Sequence, residues 1–156
     1  GQLPLDAGVI EWVYPEVGAR SPQPADVAWV NQVTHLLDHR SSRDNVAVAA
    51  LARGQSWLDA QTQAEEWLAR FGLSPVADSE AGRLSGGERQ RVSICRALAT
   101  NRPLVLADEP SANLDAYNAG LVLDSFRHLA DDGVTVVLAS HDPFAVRVAT
   151  HVESLR

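Results

Sequence analysis

The sequence predicts an α/β fold built on a parallel sheet, and three observations predict it. A short continuous apolar run, Leu104 to Ala107, and a second strand-like run, Val134 to Ala139, end on polar residues, Asp108-Glu109 and Ser140-His141-Asp142. Such runs read as strands buried on both faces of a sheet that helices cover. The third observation is Ser85-Gly86-Gly87-Glu88, whose S-x-x-E spacing is a capping box that opens a helix just ahead of the first run.

Along the chain, Val9 to Tyr14 reads as a strand cut by Pro15, and the prolines of Arg20-Ser21-Pro22-Gln23-Pro24 mark a loop. Val27 to Val30 is the next strand. Gln32 then begins a crossing into a mostly helical segment. There Asp44 or Asn45 can cap a short helix carrying Val46, Val48 and Leu51. Trp57 to Phe71 follows with an apolar rhythm of Trp57, Leu58, Ala64, Trp67, Leu68 and Phe71, ended by Gly72. Further helices are expected over Gly87 to Thr100, Ala116 to Ala130 and Pro143 to Ala149, with Arg102-Pro103 punctuating the chain before the first apolar run. Cys95 falls three residues after Val92 and three before Leu98, the place of a buried filler rather than a reactive thiol.

The chemistry gathers where these elements begin and end. At Ser85-Gly86-Gly87 a helix start offers bare N–H groups and the positive end of the dipole, and the glycines let a phosphate approach closely. Asp108 and Glu109 sit at the carboxyl end of a strand, the edge where open α/β sheets bind ligands. Alternating side chains can send one acid toward a hydrated magnesium ion and the other toward a water. His141 reaches the same edge from the second strand.

Together these stretches resemble the nucleotide-binding domain of ATP-binding-cassette (ABC) ATPases over nearly the whole chain. Leu84-Ser85-Gly86-Gly87-Glu88-Arg89-Gln90 looks like the signature peptide, Leu104 to Asp108 like Walker B, and Glu109 like the catalytic glutamate. Ser111 to Asp115 looks like the D-loop, His141 like the switch histidine, and Val27 to Gln32 like the strand and glutamine of the Q-loop. Within the family, Asp-Glu-Pro-Ser-Ala-Asn-Leu-Asp, Ser-His-Asp-Pro and Val30-Asn31-Gln32 with Leu36-Leu37 most resemble ATPases of lipoprotein release and macrolide export. The resemblance implies a P-loop NTPase core spanning 1–156, with an inserted helical subdomain at about 33–85 that touches a transmembrane permease. It implies ATP and Mg2+ as cofactors, held between two such domains face to face. Asp108 would hold magnesium through water, Glu109 would polarise the attacking water, and His141 would donate to the γ-phosphate. Gln32 would sense magnesium and the water. Ser85, Gly86, Gly87 and Glu88 would face the partner's nucleotide, and Asp115 would tie the two sites together. The protein would be cytoplasmic, on the inner face of the cell membrane through its permease.

One departure matters. The family's G-x-x-x-x-G-K-[ST] phosphate loop does not occur in the sequence, which contains no lysine: all thirteen basic residues are arginine. Gly1 to Gly8 resembles the segment that follows the phosphate-loop helix, so the chain is expected to lack the first portion of the domain and to be inactive alone. A non-transport ABC ATPase and a non-catalytic fragment are the competing readings. Only residues 33–83 lie between Gln32 and Leu84, too few for a long coiled-coil insertion. The net charge of −7 argues against a nucleic-acid surface. No apolar run reaches the ~18 residues of a membrane span.

Overall fold

The computed structural model describes residues 12–14, 18–20, 23–31, 35–112 and 114–154, the first two segments as backbone. Gln32, Val9 to Glu11 and Gly1 to Gly8 lie outside the described residues. β1 (Trp12–Tyr14) pairs antiparallel with β2 (Gly18–Arg20) in a small ribbon. The strand expected up to Tyr14 is met over Trp12–Tyr14. Its partner was not foreseen, because Gly18-Ala19-Arg20 carries no apolar run.

The main sheet is parallel, in the order β3 (Val27–Val30), β4 (Leu104–Asp108), β5 (Thr135–Ala139). The register sets Ala28 beside Val105 and Val136, and Val30 beside Ala107 and Leu138. Because successive side chains point to opposite faces, these residues share one face while Trp29, Leu106 and Val137 form a row on the other. The first face joins the core: Ala28, Val30, Val105 and Ala107 are buried, with Val136 and Leu138 packed beside them. The second is open only in part: Trp29 is 49% and Val137 54% exposed, whereas Leu104 on the same face is buried. β4 therefore lies in the sheet as a largely buried strand, but β5 corrects the expectation of a second strand buried on both faces. Among the described residues β5 pairs on one side only, and exposed Thr135, Val137 and Ala139 alternate with half-buried Val136 and Leu138.

Between β3 and β4 the chain folds three helices, α1 (Ser42–Leu51), α2 (Trp57–Arg70) and α3 (Gly86–Leu98), which pack on one another, α3 also meeting β3. Small residues allow the close approach: Ala47, Ala50, Ala60 and Ala64 are buried, and Leu68, Phe71, Val92, Ile94 and Cys95 fill the space between them. Each fully buried large apolar side chain contributes about 1.5–3 kcal/mol relative to exposure. Burial also pushes the Cys95 thiol well above its ordinary value, as befits a filler. Gly72 takes a positive φ of 66° to end α2, the usual stop in the left-handed region.

The cap of α1 corrects the sequence reading. Ser41, not Asp44 or Asn45, is the N-cap, its hydroxyl accepting from the Asp44 N–H at 3.0 Å. Asn45 is wholly buried one turn in, where Oδ1 accepts from the Leu37 N–H (2.7 Å) and Nδ2 donates to the carbonyls of Leu37 and Ser41 (3.1 and 2.9 Å). Its amide thus ties the segment entering the helices to α1. After β4 come α4 (Ala116–Asp131), which packs on β5, and α5 (Pro143–Val148), which packs on α4. No helix among the described residues is long and apolar enough to cross a membrane.

Candidate functional site

Three polar segments lie at the ends of these elements: Ser85 to Arg89 at the start of α3, Asp108 to Ala112 with Leu114 and Asp115 from the end of β4, and Ser140 to Asp142 after β5. At the first, the S-x-x-E box forms as its spacing requires. Ser85 Oγ accepts from the Glu88 N–H at 3.4 Å, and Glu88 Oε2 accepts from the Ser85 N–H at 2.8 Å and from its hydroxyl at 2.7 Å. These bonds, the Ser85 hydroxyl first, hold the Glu88 carboxyl below the usual carboxylate range. A Cβ built at Gly86 would meet nothing within 4 Å, so the N-terminal end of α3 is open on that side. At Gly87 a Cβ would lie 3.4 Å from Leu114 Cδ2, so the second glycine lets the helix start approach the residue before Asp115.

Asp115 is the N-cap of α4. Its Oδ1 accepts from the Asn118 N–H at 2.9 Å and its Oδ2 from the Asn118 amide at 2.6 Å, which together hold its carboxyl below the ordinary value. The Arg91 guanidinium acts more weakly in the same direction. That arginine is 7% exposed, with Nε buried and unpartnered among the described residues. The sequence does not single it out, since i+4 spacing after Gly87 does not say what lies across the helix.

Asp108 is exposed at the end of β4, opposite Ala139. Glu109 turns the chain: its N–H donates to the Ala139 carbonyl at 2.9 Å and its φ is 44°, in the left-handed region. A side chain there, directly before buried Pro110, costs about 1–3 kcal/mol, a strain that collects at functional sites. The turn aims the carboxylate at the end of β5, where Oε1 accepts from the His141 N–H at 2.9 Å and Oε2 from the Ser140 hydroxyl at 3.3 Å. The His141 ring is fully exposed, with Nε2 3.8 Å from Glu109 Oε1. Glu109, Ser111, Ala112, His141, Asp142 and Pro143 line an open cleft of about 560 Å³.

The structure thus brings Glu109 and His141 together, and Asp115 beside Gly87 through Leu114, but no residue of Ser85 to Glu88 lines the glutamate–histidine cleft. Gln32 lies outside the described residues. The described residues contain no cluster of three or more His, Cys, Asp or Glu that could cage a metal. A lone exposed carboxylate with a second beside it suits magnesium, which keeps several waters and is held by one or two carboxylates plus substrate phosphates. Sequence reasoning missed Ser111, Ser140 and Asp142 as individuals; each sits inside a recognised stretch, but only folding shows what it bonds.

The family model of the ABC transporter matches residues 1–112, and the chain belongs to that family. Two curated relatives are the lipoprotein-releasing system ATP-binding protein LolD of Chromohalobacter salexigens and the macrolide export ATP-binding/permease protein MacB of Salmonella choleraesuis. The first is 44% identical over 118 residues, 75% of this chain and 50% of the relative. The second is 40% identical over 124 residues, 80% of this chain and 19% of the relative. The chain therefore spans half of the one and a fifth of the other. Among solved structures, a dimeric ATP-binding cassette in a post-hydrolysis state with ADP and Pi superposes with a TM-score of 0.73 at 31% identity, over 79% of this chain and 55% of the other. The fold is thus the ABC ATPase fold.

Proposed function

We propose that this chain belongs to the ATP-binding subunit of an ABC transporter of the lipoprotein-release or macrolide-export kind, which hydrolyses ATP between two face-to-face copies and drives a membrane permease. The observation that carries the reading is the separation of two incomplete half-sites on one chain. The Ser85-Gly86-Gly87 end of α3 is an anion-accepting surface none of whose residues lines the glutamate–histidine cleft. A second copy in opposite orientation would set one against the other, and the solved cassette it resembles is dimeric.

In that arrangement Glu109 is the general base. Phosphoryl transfer to water has a loose transition state, so positioning and charge do most of the catalysis. Glu109 orients and deprotonates the water and His141 donates to the γ-phosphate; Asp108 with Gln32 would hold magnesium, which when bound would neutralise phosphate charge. Ser85, Gly86 and Gly87 donate to the partner's nucleotide, Glu88 keeps that loop in shape, and Asp115 joins the two sites. Residues 33–85, with α1 and α2, form the subdomain that meets the permease. Exposed Val48, Trp57 and Leu58 there, at 42%, 59% and 74%, offer apolar surface for it. Residues 1–156 alone, without a glycine–lysine phosphate cradle, are inactive, and the working assembly lies on the cytoplasmic face of the membrane through its permease.

The test is Glu109→Gln in the longest native chain that contains these residues. ATP binding is retained, turnover falls by roughly 10² or more, the scale of a lost general base, and the ATP-bound dimer accumulates. Unchanged steady-state turnover would show that the base lies elsewhere.

A further inference from the structure

The polar groups around Glu109 form a chain longer than the proposed chemistry uses. Ser111 is 5% exposed, and its hydroxyl donates to Asp142 Oδ2 at 3.2 Å. The other oxygen of Asp142 accepts from the Phe144 N–H at 2.8 Å, capping α5. The Asp142 N–H donates to Ser140 Oγ at 3.0 Å, and the Ser140 hydroxyl donates onward to Glu109 Oε2 at 3.3 Å. Each serine has a single O–H to give, so the direction of every link is settled. The Ser111 carbonyl accepts from the Leu114 N–H at 3.0 Å, which ties the start of the chain to the residue before Asp115.

We propose that Ser111 and Ser140 are positioning residues for Glu109: the relay Ser111–Asp142–Ser140 fixes the carboxylate and couples its placement to the loop that carries Asp115. Both serines act through Glu109, Ser140 by its bond to Oε2 and Ser111 through Asp142. Because Glu109 leaves β4 through a left-handed turn, its side chain lacks the support of a regular strand and takes its orientation from the two donors after β5. A displacement at Asp115 passes through the Leu114–Ser111 bond to Asp142, and from there to both donors. The inference rests on the reading of Glu109 as the general base.

The experiment compares Ser111→Ala, Ser111→Thr, Glu109→Gln and the double variant Ser111→Ala/Glu109→Gln in the longest native chain, by steady-state ATPase kinetics. Ser111→Ala is expected to lower kcat roughly tenfold with KM for ATP unchanged, as for a misplaced rather than missing group. Ser111→Thr keeps the hydroxyl and restores most of kcat, and in the Glu109→Gln background Ser111→Ala changes nothing further. If Ser111→Ala fails to fold, Ser140→Ala and Ser140→Thr, at a half-buried position, cut and restore the last link with the same expected pattern. Loss of turnover in Glu109→Gln with unchanged kcat in Ser111→Ala and Ser140→Ala overturns the relay and leaves the base standing. Unchanged turnover in Glu109→Gln overturns the base and the relay together.

Discussion

The two half-sites of this chain are built in opposite ways. At the start of α3, the bonds of the capping box run between Ser85 and Glu88, three residues apart, the space over Gly86 is open, and Arg89 alone reaches further, to the Ala81 carbonyl and Asp38. At the end of β4, the partners of Glu109 lie 31 and 32 residues away, on the far side of α4 and β5. The local site is a shape that a helix N-terminus adopts by itself; the distant one exists only when two strand ends are brought level. Damage to folding should therefore disturb the glutamate site first, whereas chemical damage at the glycines should be felt only by a partner.

The largest expected effect breaks the open half-site without touching the fold. Gly86 is not among the glycines of positive φ and a Cβ there meets nothing, so Gly86→Asp is sterically free. An acid in the first turn of a helix is worth about 0.3–1 kcal/mol in its favour. It nevertheless places a negative group where the partner's phosphate would lie. The intact protein is expected to fold with an unchanged thermal midpoint, bind ATP, and lose ATP-induced dimerisation together with at least tenfold of its turnover. A folded variant with normal turnover removes the phosphate-facing role from α3.

The glutamate half-site is sharpened by a pair of variants at one position. Glu109→Ala and Glu109→Gly both lose the bonds to Ser140 and His141, but only glycine adopts φ 44° without penalty. Glycine should therefore be the more stable of the two by about 1–2 kcal/mol, a few degrees of thermal midpoint in a domain of this size. Equal midpoints would mean that the turn carries no strain.

A smaller effect tests the local site. Ser85→Ala removes the cap at a cost of about 1 kcal/mol. The same box predicts a pH dependence. A carboxyl whose folded value is depressed contributes stability above its unfolded value, and that contribution is lost as pH falls through the folded value. For Glu88 the loss sets in below the ordinary glutamate range, so the Ser85 amide resonance should titrate with a midpoint below that of an unpaired glutamate. The Ser85→Ala variant, which lacks the largest cause of the depression, should move that midpoint upward. The same midpoint in both chains, at the ordinary glutamate value, would disconnect the carboxyl from the cap.

Most of the secondary structure and the local half-site were legible from sequence because their signals act over three or four residues. The Ser-x-x-Glu spacing, the apolar rhythm of α2, Gly72 at its end and the run Leu104 to Ala107 name their elements directly, since capping and burial patterns are local consequences of side-chain type. The same locality misled at Asp44 and Asn45: either is a good cap by composition, but Ser41 takes the position and Asn45 turns inward to bond Leu37 and Ser41. Only tertiary structure could decide how β5 is covered, because an apolar run reports a preference for burial and not the presence of a covering layer. Likewise Ser111, Asp142 and Ser140 are ordinary polar residues in sequence, and they become one hydrogen-bonded chain to Glu109 only where the parallel pairing of β4 and β5 brings their carboxyl ends to the same edge.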